Sequence, residues 1–332
     1  MSTHWPNTTK YLPQFRQEIR INSFGMRDRE HKVKKQDGVF RILLLGDSFM
    51  EAYQVRFEDS FPHLLEAFLG KRVPFPVEVI NASVSGWGTD DQLTYLLRYG
   101  TKASPNLILV ALTLHNDVSD NLLEKFHFMK DNRLYEQPRQ DIPLDDFVLM
   151  RVKGFLARNL HLVQLIRFYL NLHEANKAGK ALDAHVANLI SHTSNDRMRL
   201  GWDMTHQLLQ KTKSTGEGIG ARLVVCLLPL WIQVSNERLS QFVRSQDLDM
   251  KQIRLENPQQ IMKDWGSRTG VEIIDLLPGF RQWVESGQLD LVLGFDEHWN
   301  EAGHRLSALI VIEELIGRKL LTSDTLKQRV VQ

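Results

Sequence analysis

The chain reads as an α/β protein, with a mostly parallel sheet covered by helices on both faces. Three observations lead there. Short apolar runs alternate with segments of helical spacing, the pattern of strand–helix–strand units. The strongest runs, Leu107 to Leu112 and Leu223 to Leu228, are apolar at every position, as strands buried on both faces must be. The runs also stop abruptly at Gly, Asn, Asp, Ser or Pro, the residues of loops. In such sheets ligands bind beyond the carboxyl ends of the strands, so those loops are where functional residues are expected.

The elements follow in order. Residues 28–38, Asp-Arg-Glu-His-Lys-Val-Lys-Lys-Gln-Asp-Gly, are densely charged and read as a solvated loop. Val39 to Leu45 is the first buried strand and ends at Gly46-Asp47-Ser48. Phe61, Leu64, Leu65 and Phe68 then share one face of a helix. A second strand, Val77 to Ile80, runs into the Gly/Ser-rich loop at 81–89, where Thr89 is placed to cap a helix with Leu93, Leu96 and Leu97 inside. The third strand, Leu107 to Leu112, ends at His115-Asn116-Asp117. The fourth, Leu223 to Leu228, stops at Pro229, and the fifth, Val271 to Asp275, precedes Pro278-Gly279.

Between about 120 and 215 the alternation disappears. Residues 131–146 are polar, helical spacing runs from Phe147 to about His173, and a further helix is predicted over Asp196 to Lys213. This stretch reads as a helical insertion or cap within a domain spanning 36–332, with residues 1–35 as a separate N-terminal segment. Its apolar face at Phe155, Leu162, Leu165, Ile166 and Tyr169 is more often core packing than an acyl-chain groove.

Composition sets bounds on function. The chain has 332 residues, 42% of them hydrophobic and 24% charged, enough for a full globular core. Lys and Arg total 41 against 40 Asp and Glu, so charge gives no case for nucleic acid or an anionic membrane as partner. The single cysteine, Cys226, sits in an apolar run and reads as a buried inert thiol. Met1 to Arg16 lacks the apolar core of a signal peptide, and no stretch has the roughly 18 uncharged apolar residues of a membrane span. As written, the residues are those of a soluble cytoplasmic protein; a chain trimmed of an N-terminal anchor would read the same way.

Four loop segments carry chemistry. Ser48 stands where a strand gives way to a helix, which exposes its hydroxyl, but a serine needs a base within hydrogen-bond reach to become a nucleophile. His298, in Asp296-Glu297-His298-Trp299-Asn300, is the base expected, and Asn300 is positioned to cap the helix that follows. Asp296, two residues earlier, can accept a hydrogen bond from the other ring nitrogen and fix the tautomer. Gly86 and Asn116 offer a backbone amide with no side chain in the way and a directional side-chain NH₂, the donors that an oxyanion needs. Taken singly, each has a plainer role, as a helix cap, a loop histidine or a turn residue. His304 lies inside the helix and reads as structural, and a His298/His304 metal pair has too few partners.

Together, in this order, the four segments resemble the conserved blocks of the SGNH (GDSL-type) hydrolase superfamily, named for Ser, Gly, Asn and His. The resemblance covers about 36–120 and 218–320. It implies a flavodoxin-like three-layer α/β/α domain, Ser48 as nucleophile, and Ser48 N–H, Gly86 and Asn116 as the oxyanion hole. His298 would be the base and Asp296 its orienting acid, with no metal and no cofactor. The stretch Asn22-Ser23-Phe24-Gly25-Met26-Arg27 resembles a lead-in of some members and implies that the N-terminal segment packs on the domain. Three departures stand out: Phe49 in place of Leu, no glycine before Asn116, where Thr113-Leu114-His115 stand instead, and an Asp–His interval of two rather than three. The Asp-x-His-Trp spacing is similar to that of alginate-type polysaccharide O-acetyltransferases.

The leading expectation is a serine esterase acting on a carboxylic ester, with an acetylated carbohydrate as one candidate substrate. An O-acyltransferase passing acetyl to a sugar hydroxyl is the first alternative, and a silent glycan- or protein-binding module the second. His115, Trp87 and Trp299 are placed near the site in sequence and are candidates to lie beside the substrate, whether that is a sugar ring or an aryl ester; for His115 the alternative is plain packing at that position. The sequence leaves the substrate and the oligomeric state open.

Overall fold

The computed structural model describes residues 7–12, 17–114, 116–121, 127–130, 133–136, 184–191, 195–288, 290–293 and 296–321. His115 and residues 147–173, expected to be helical, lie outside the described residues, as does the side chain of Asp296.

The framework is a parallel sheet of β3 (Phe40–Gly46), β4 (Val77–Ser83), β5 (Leu107–Thr113), β8 (Arg222–Leu228) and β9 (Glu272–Asp275), in spatial order β4-β3-β5-β8-β9. Renumbered within the sheet this is 2-1-3-4-5, the flavodoxin-like order with its reversal between the first and third strands. The smaller strands form antiparallel pairs: β1 (Thr9–Leu12) with β2 (Gln17–Arg20), β6 (His127–Lys130) with β7 (Arg133–Glu136), and β10 (Val292–Leu293) with β11 (Asp296–Trp299).

Alternation along each strand divides the core in two. Leu43, Leu45, Ile108, Val110 and Val225 face α3 (Thr89–Arg98), α5 (Asp196–Gly218) and α8 (Asn257–Thr269). Ile42, Leu44, Leu109, Val224 and Cys226 face α2 (Phe61–Leu69), α9 (Leu277–Glu285) and α10 (Glu301–Gly317). Cys226 is fully covered, and burial together with the charge of Asp275 pushes its thiol pKa well up, as suits an inert side chain.

Several local expectations change. The helix expected inside the 120–215 insertion is α5, which packs against α3 and leads directly into β8. It is the crossover helix that a parallel sheet needs between β5 and β8, so its buried stripe of Met198, Trp202, Leu208 and Leu209 belongs to the frame. Leu97 faces outward at 39% exposure while Leu93 and Leu96 are buried. Thr89 is the first residue of α3 and does not cap it; its hydroxyl donates to Asn121 Oδ1 at 2.9 Å.

The charged loop at 28–38 is also less solvated than its composition predicts. His31, in its protonated form, donates from both ring nitrogens, to Asp28 at 2.8 Å and to Glu78 at 2.8 Å. Glu78 also meets Arg41, its cross-strand neighbour, at 2.6 Å. Burial alone would lower the His31 pKa, but the two carboxylates outweigh it and raise the value to about 9. These contacts tie Asp28 and His31 to β4, and Ile19, Ile21 and Met26 are buried.

Candidate active site

The register of β3 against its neighbours brings the loops together. Gly46 pairs with Ser83 on β4, and Leu45 with Val110 on β5. Ser48, Gly86 and Asn116 each follow a few residues beyond those pairs, so they emerge on one edge of the sheet, at its switch point. The structure brings His298 to the same place from the far end of the chain. Its Nε2 lies 2.8 Å from Ser48 Oγ, across 250 residues of sequence.

The geometry of α1 (Ser48–Glu51) explains why this hydroxyl is available. The cap is Asp47, whose carboxylate accepts from Phe49 N–H at 3.0 Å. Asp47 thus takes the role that a serine at this position often fills, and the Ser48 side chain turns to the imidazole. Gly46 permits the tight entry: a Cβ there would stand 2.6 Å from Met50 Cγ.

On the other wall, Trp87 N–H closes a turn onto Val84 C=O at 3.1 Å. Gly86 occupies the third position of that turn with φ +80°, the left-handed value a type II turn requires. The Gly86 position is exposed, and nothing lies within 4 Å of where a Cβ would be. Asn116 precedes α4 (Asp117–Asp120) and is half-buried.

His298 is held by packing as well as by the serine. The Phe49 ring packs against it at 4.7 Å, tilted by 32°, and meets Trp299 edge-on at 5.3 Å. Asn300 caps α10, accepting from Gly303 N–H at 3.0 Å, and so anchors the loop at its downstream end. His304 is buried, and its Nδ1 accepts from Phe61 N–H at 3.3 Å. Burial, aided by the charges of Arg27 and His298, lowers its pKa to about 3, so it is a neutral structural imidazole.

A small cleft of about 50 Å³ opens beside this arrangement, with Phe49, Thr113, Leu230, Trp231, Glu297 and Trp299 among its walls. Arg238 lies over the Trp231 ring at 5.3 Å and meets Glu297 at 3.6 Å. Trp87 and Trp299, both expected beside the substrate, are 2% exposed. Trp87 packs on Tyr95, and Trp299 sits among Phe49, Phe280 and His304. Most of each ring is therefore core, and only an edge of Trp299 reaches the cleft. Among the described residues no group of three or more His, Cys, Asp or Glu is arranged to hold a metal ion, and no helix is long and apolar enough to cross a membrane.

Two residues around the site escaped sequence reasoning. Glu51, one turn after Ser48, is 1% exposed and accepts from Ser85 N–H at 2.9 Å and from the Ser85 hydroxyl. Arg27 is buried and donates to the carbonyls of Glu51 at 2.9 Å, Val55 at 2.7 Å and Ala52. The available signal was slight: an acidic residue between apolar Met50 and Ala52, and an arginine closing the lead-in at 22–27.

The GDSL-like lipase/acylhydrolase family model matches residues 42–311. In structure the chain is similar to TesA, at 12% identity and TM-score 0.45, with 85% of this chain and 99% of that one covered. It is also similar to the acetyl xylan esterase AlAXEase, at 12% identity and TM-score 0.46, covering 83% and 100%. A lipase/acylhydrolase from Enterococcus faecalis is similar at 13% identity and TM-score 0.43, covering 84% and 96%. No curated protein matches the chain in sequence.

Proposed function

Because the chain belongs to the GDSL-like lipase/acylhydrolase family, we propose that it is a serine esterase that hydrolyses a carboxylic ester through an acyl-serine intermediate. The observation that carries this reading is the 2.8 Å contact between Ser48 Oγ and His298 Nε2. Neither residue has a packing reason to meet the other, since Asp47 already caps α1 and Asn300 already caps α10.

In this reading Ser48 Oγ attacks the ester carbonyl while His298 Nε2 takes its proton. The tetrahedral oxyanion is met by Ser48 N–H, Gly86 N–H and the Asn116 side-chain amide, each worth on the order of 3 kcal/mol of barrier. The alcohol leaves with the proton returned by His298. Water then attacks the acyl-serine with His298 again as base, and free acid and Ser48 are released. Asp296, two residues before His298, is the acceptor for the other ring nitrogen. One side of the substrate lies in the cleft between Phe49, Thr113 and Trp231, with the edge of Trp299 and, by its place in sequence, His115 nearby.

The Asp-x-His-Trp spacing supports a second reading, transfer of an acetyl group to a sugar hydroxyl in place of water. The test is an ester panel from acetyl to long-chain acyl, including acetylated sugars, run beside Ser48→Ala and repeated with sugar acceptors. Free acid from wild type alone supports the esterase. Acylated acceptor forming faster than free acid supports the transferase. No turnover of any ester, with the protein folded, would favour a binding module on the same fold.

A further inference from the structure

We infer that Glu51 is a positioning residue for the reaction proposed above, clamping the Ser85–Gly86 turn at the height over Ser48 that an oxyanion donor needs. The inference rests on the serine reading of the site and extends it to a residue that touches neither substrate nor reacting atoms.

Glu51 and Ser48 ride on the same short helix, three residues apart. The Glu51 carboxylate points across to the loop after β4, where its Oε2 accepts both the N–H of Ser85, at 2.9 Å, and the hydroxyl of Ser85. Two donors of one residue on one oxygen fix that residue's rotation. The peptide that follows Ser85 bears the Gly86 N–H, and the turn's own hydrogen bond, Trp87 N–H to Val84 C=O, leaves that peptide unconstrained. The clamp therefore sets the direction of the Gly86 amide, the donor that the serine reading assigns to the oxyanion.

The other end of the link is anchored too. Arg27 donates to three carbonyl groups at and beyond the end of α1, those of Glu51, Ala52 and Val55. Burial lowers its pKa to about 10, with the Glu51 charge opposing the fall, so it stays protonated at neutral pH. Tyr53 also hydrogen-bonds Glu51, and burial with that carboxylate pushes its phenol pKa up. A carboxylate 1% exposed is costly to desolvate, and packing alone would be met better by an apolar side chain. Its partners say what it is for: they tie the nucleophile's helix to the glycine turn, so the two move as one piece.

The experiment is steady-state kinetics of the full chain on a chromogenic aryl acetate, with folding checked by circular dichroism. Glu51→Ala is expected to lower kcat by about ten- to a hundredfold, the cost of a donor displaced by about an ångström, with KM changed by less than about twofold. Glu51→Gln keeps an acceptor oxygen for Ser85 and should stay within about fivefold of wild type. Ser85→Ala, on an exposed residue, should lower kcat by about three- to tenfold, and the Glu51→Ala/Ser85→Ala double variant should be no slower than Glu51→Ala. A folded Glu51→Ala with full kcat, a loss confined to KM, or a double variant at the product of the two single losses would each overturn the inference. Should Glu51→Ala fail to fold, Ser85→Ala decides: full kcat overturns the clamp, and the stated loss supports it. Ser48→Ala runs in parallel. Full turnover there brings down the serine reading and the clamp with it, whereas a dead Ser48→Ala beside fully active Glu51 and Ser85 variants sinks the clamp alone.

Discussion

Phe49 stands where the superfamily resemblance expects leucine, and it offers a direct test of how His298 is held. Its ring makes two aromatic contacts, 4.7 Å to the imidazole and 5.3 Å edge-on to Trp299. Aromatic pairs of this kind contribute about 0.5–1.5 kcal/mol each beyond burial, so Phe49→Ala removes roughly 1–3 kcal/mol of orientation from the His298 loop. If about half of that is felt at the imidazole, kcat falls by roughly three- to tenfold. KM should change little, because the lost contact is with the group proposed as the base rather than with the substrate. Truncating a partly buried phenylalanine also costs stability, up to about 3–5 kcal/mol when it is fully enclosed, so urea unfolding must accompany the kinetics. Phe49→Leu retains apolar volume without the ring and should lose less than Phe49→Ala in both measurements. A folded Phe49→Ala with undiminished kcat would show that the serine contact and the Asn300 cap suffice to hold the imidazole, and the argument from packing would be wrong.

Two further predictions follow from other parts of the molecule. Ser48→Ala and His298→Ala should each lower kcat by about 10⁴–10⁶, and the double variant should be little worse than either, because the two act in one step; losses that multiply would contradict the shared proton transfer. His31 holds its proton to about pH 9 in the fold against about 6.5 unfolded, so its stabilisation is complete below pH 6.5 and is lost as pH rises through about 9. That is worth roughly 3 kcal/mol, at about 1.4 kcal/mol per pH unit, because the side chain is only 3% exposed. Urea unfolding of wild type should therefore weaken between pH 6 and pH 9.5 by about that much more than His31→Gln, and parallel behaviour of the two would refute the assignment.

How far the sequence carried depends on whether each feature is local. The strands were legible because runs such as Leu107 to Leu112 are buried on both faces and leave no other reading. Asn300 was legible as a cap because capping needs only a side chain and the amide three residues on. Thr89 was misread by the same rule, since a tertiary partner, Asn121, claims its hydroxyl. His31 looked solvated in a charged loop, but Glu78 on β4 and Asp28 claim its two ring nitrogens. The proximity of Trp87 and Trp299 to site residues along the chain said nothing about which way their rings point, and they point largely into the core. Glu51 was invisible for a related reason: its meaning lies in a loop 34 residues away that no periodicity announces.

The central claim is that the Ser48 hydroxyl is made nucleophilic by His298. Labelling the folded protein with a fluorophosphonate near pH 8, and mapping the adduct by mass spectrometry, addresses it in one measurement. The account predicts a single adduct on Ser48, absent from Ser48→Ala and slowed by orders of magnitude in His298→Ala. A folded wild type that stays unlabelled, or one labelled at Ser48 just as fast without His298, would contradict it.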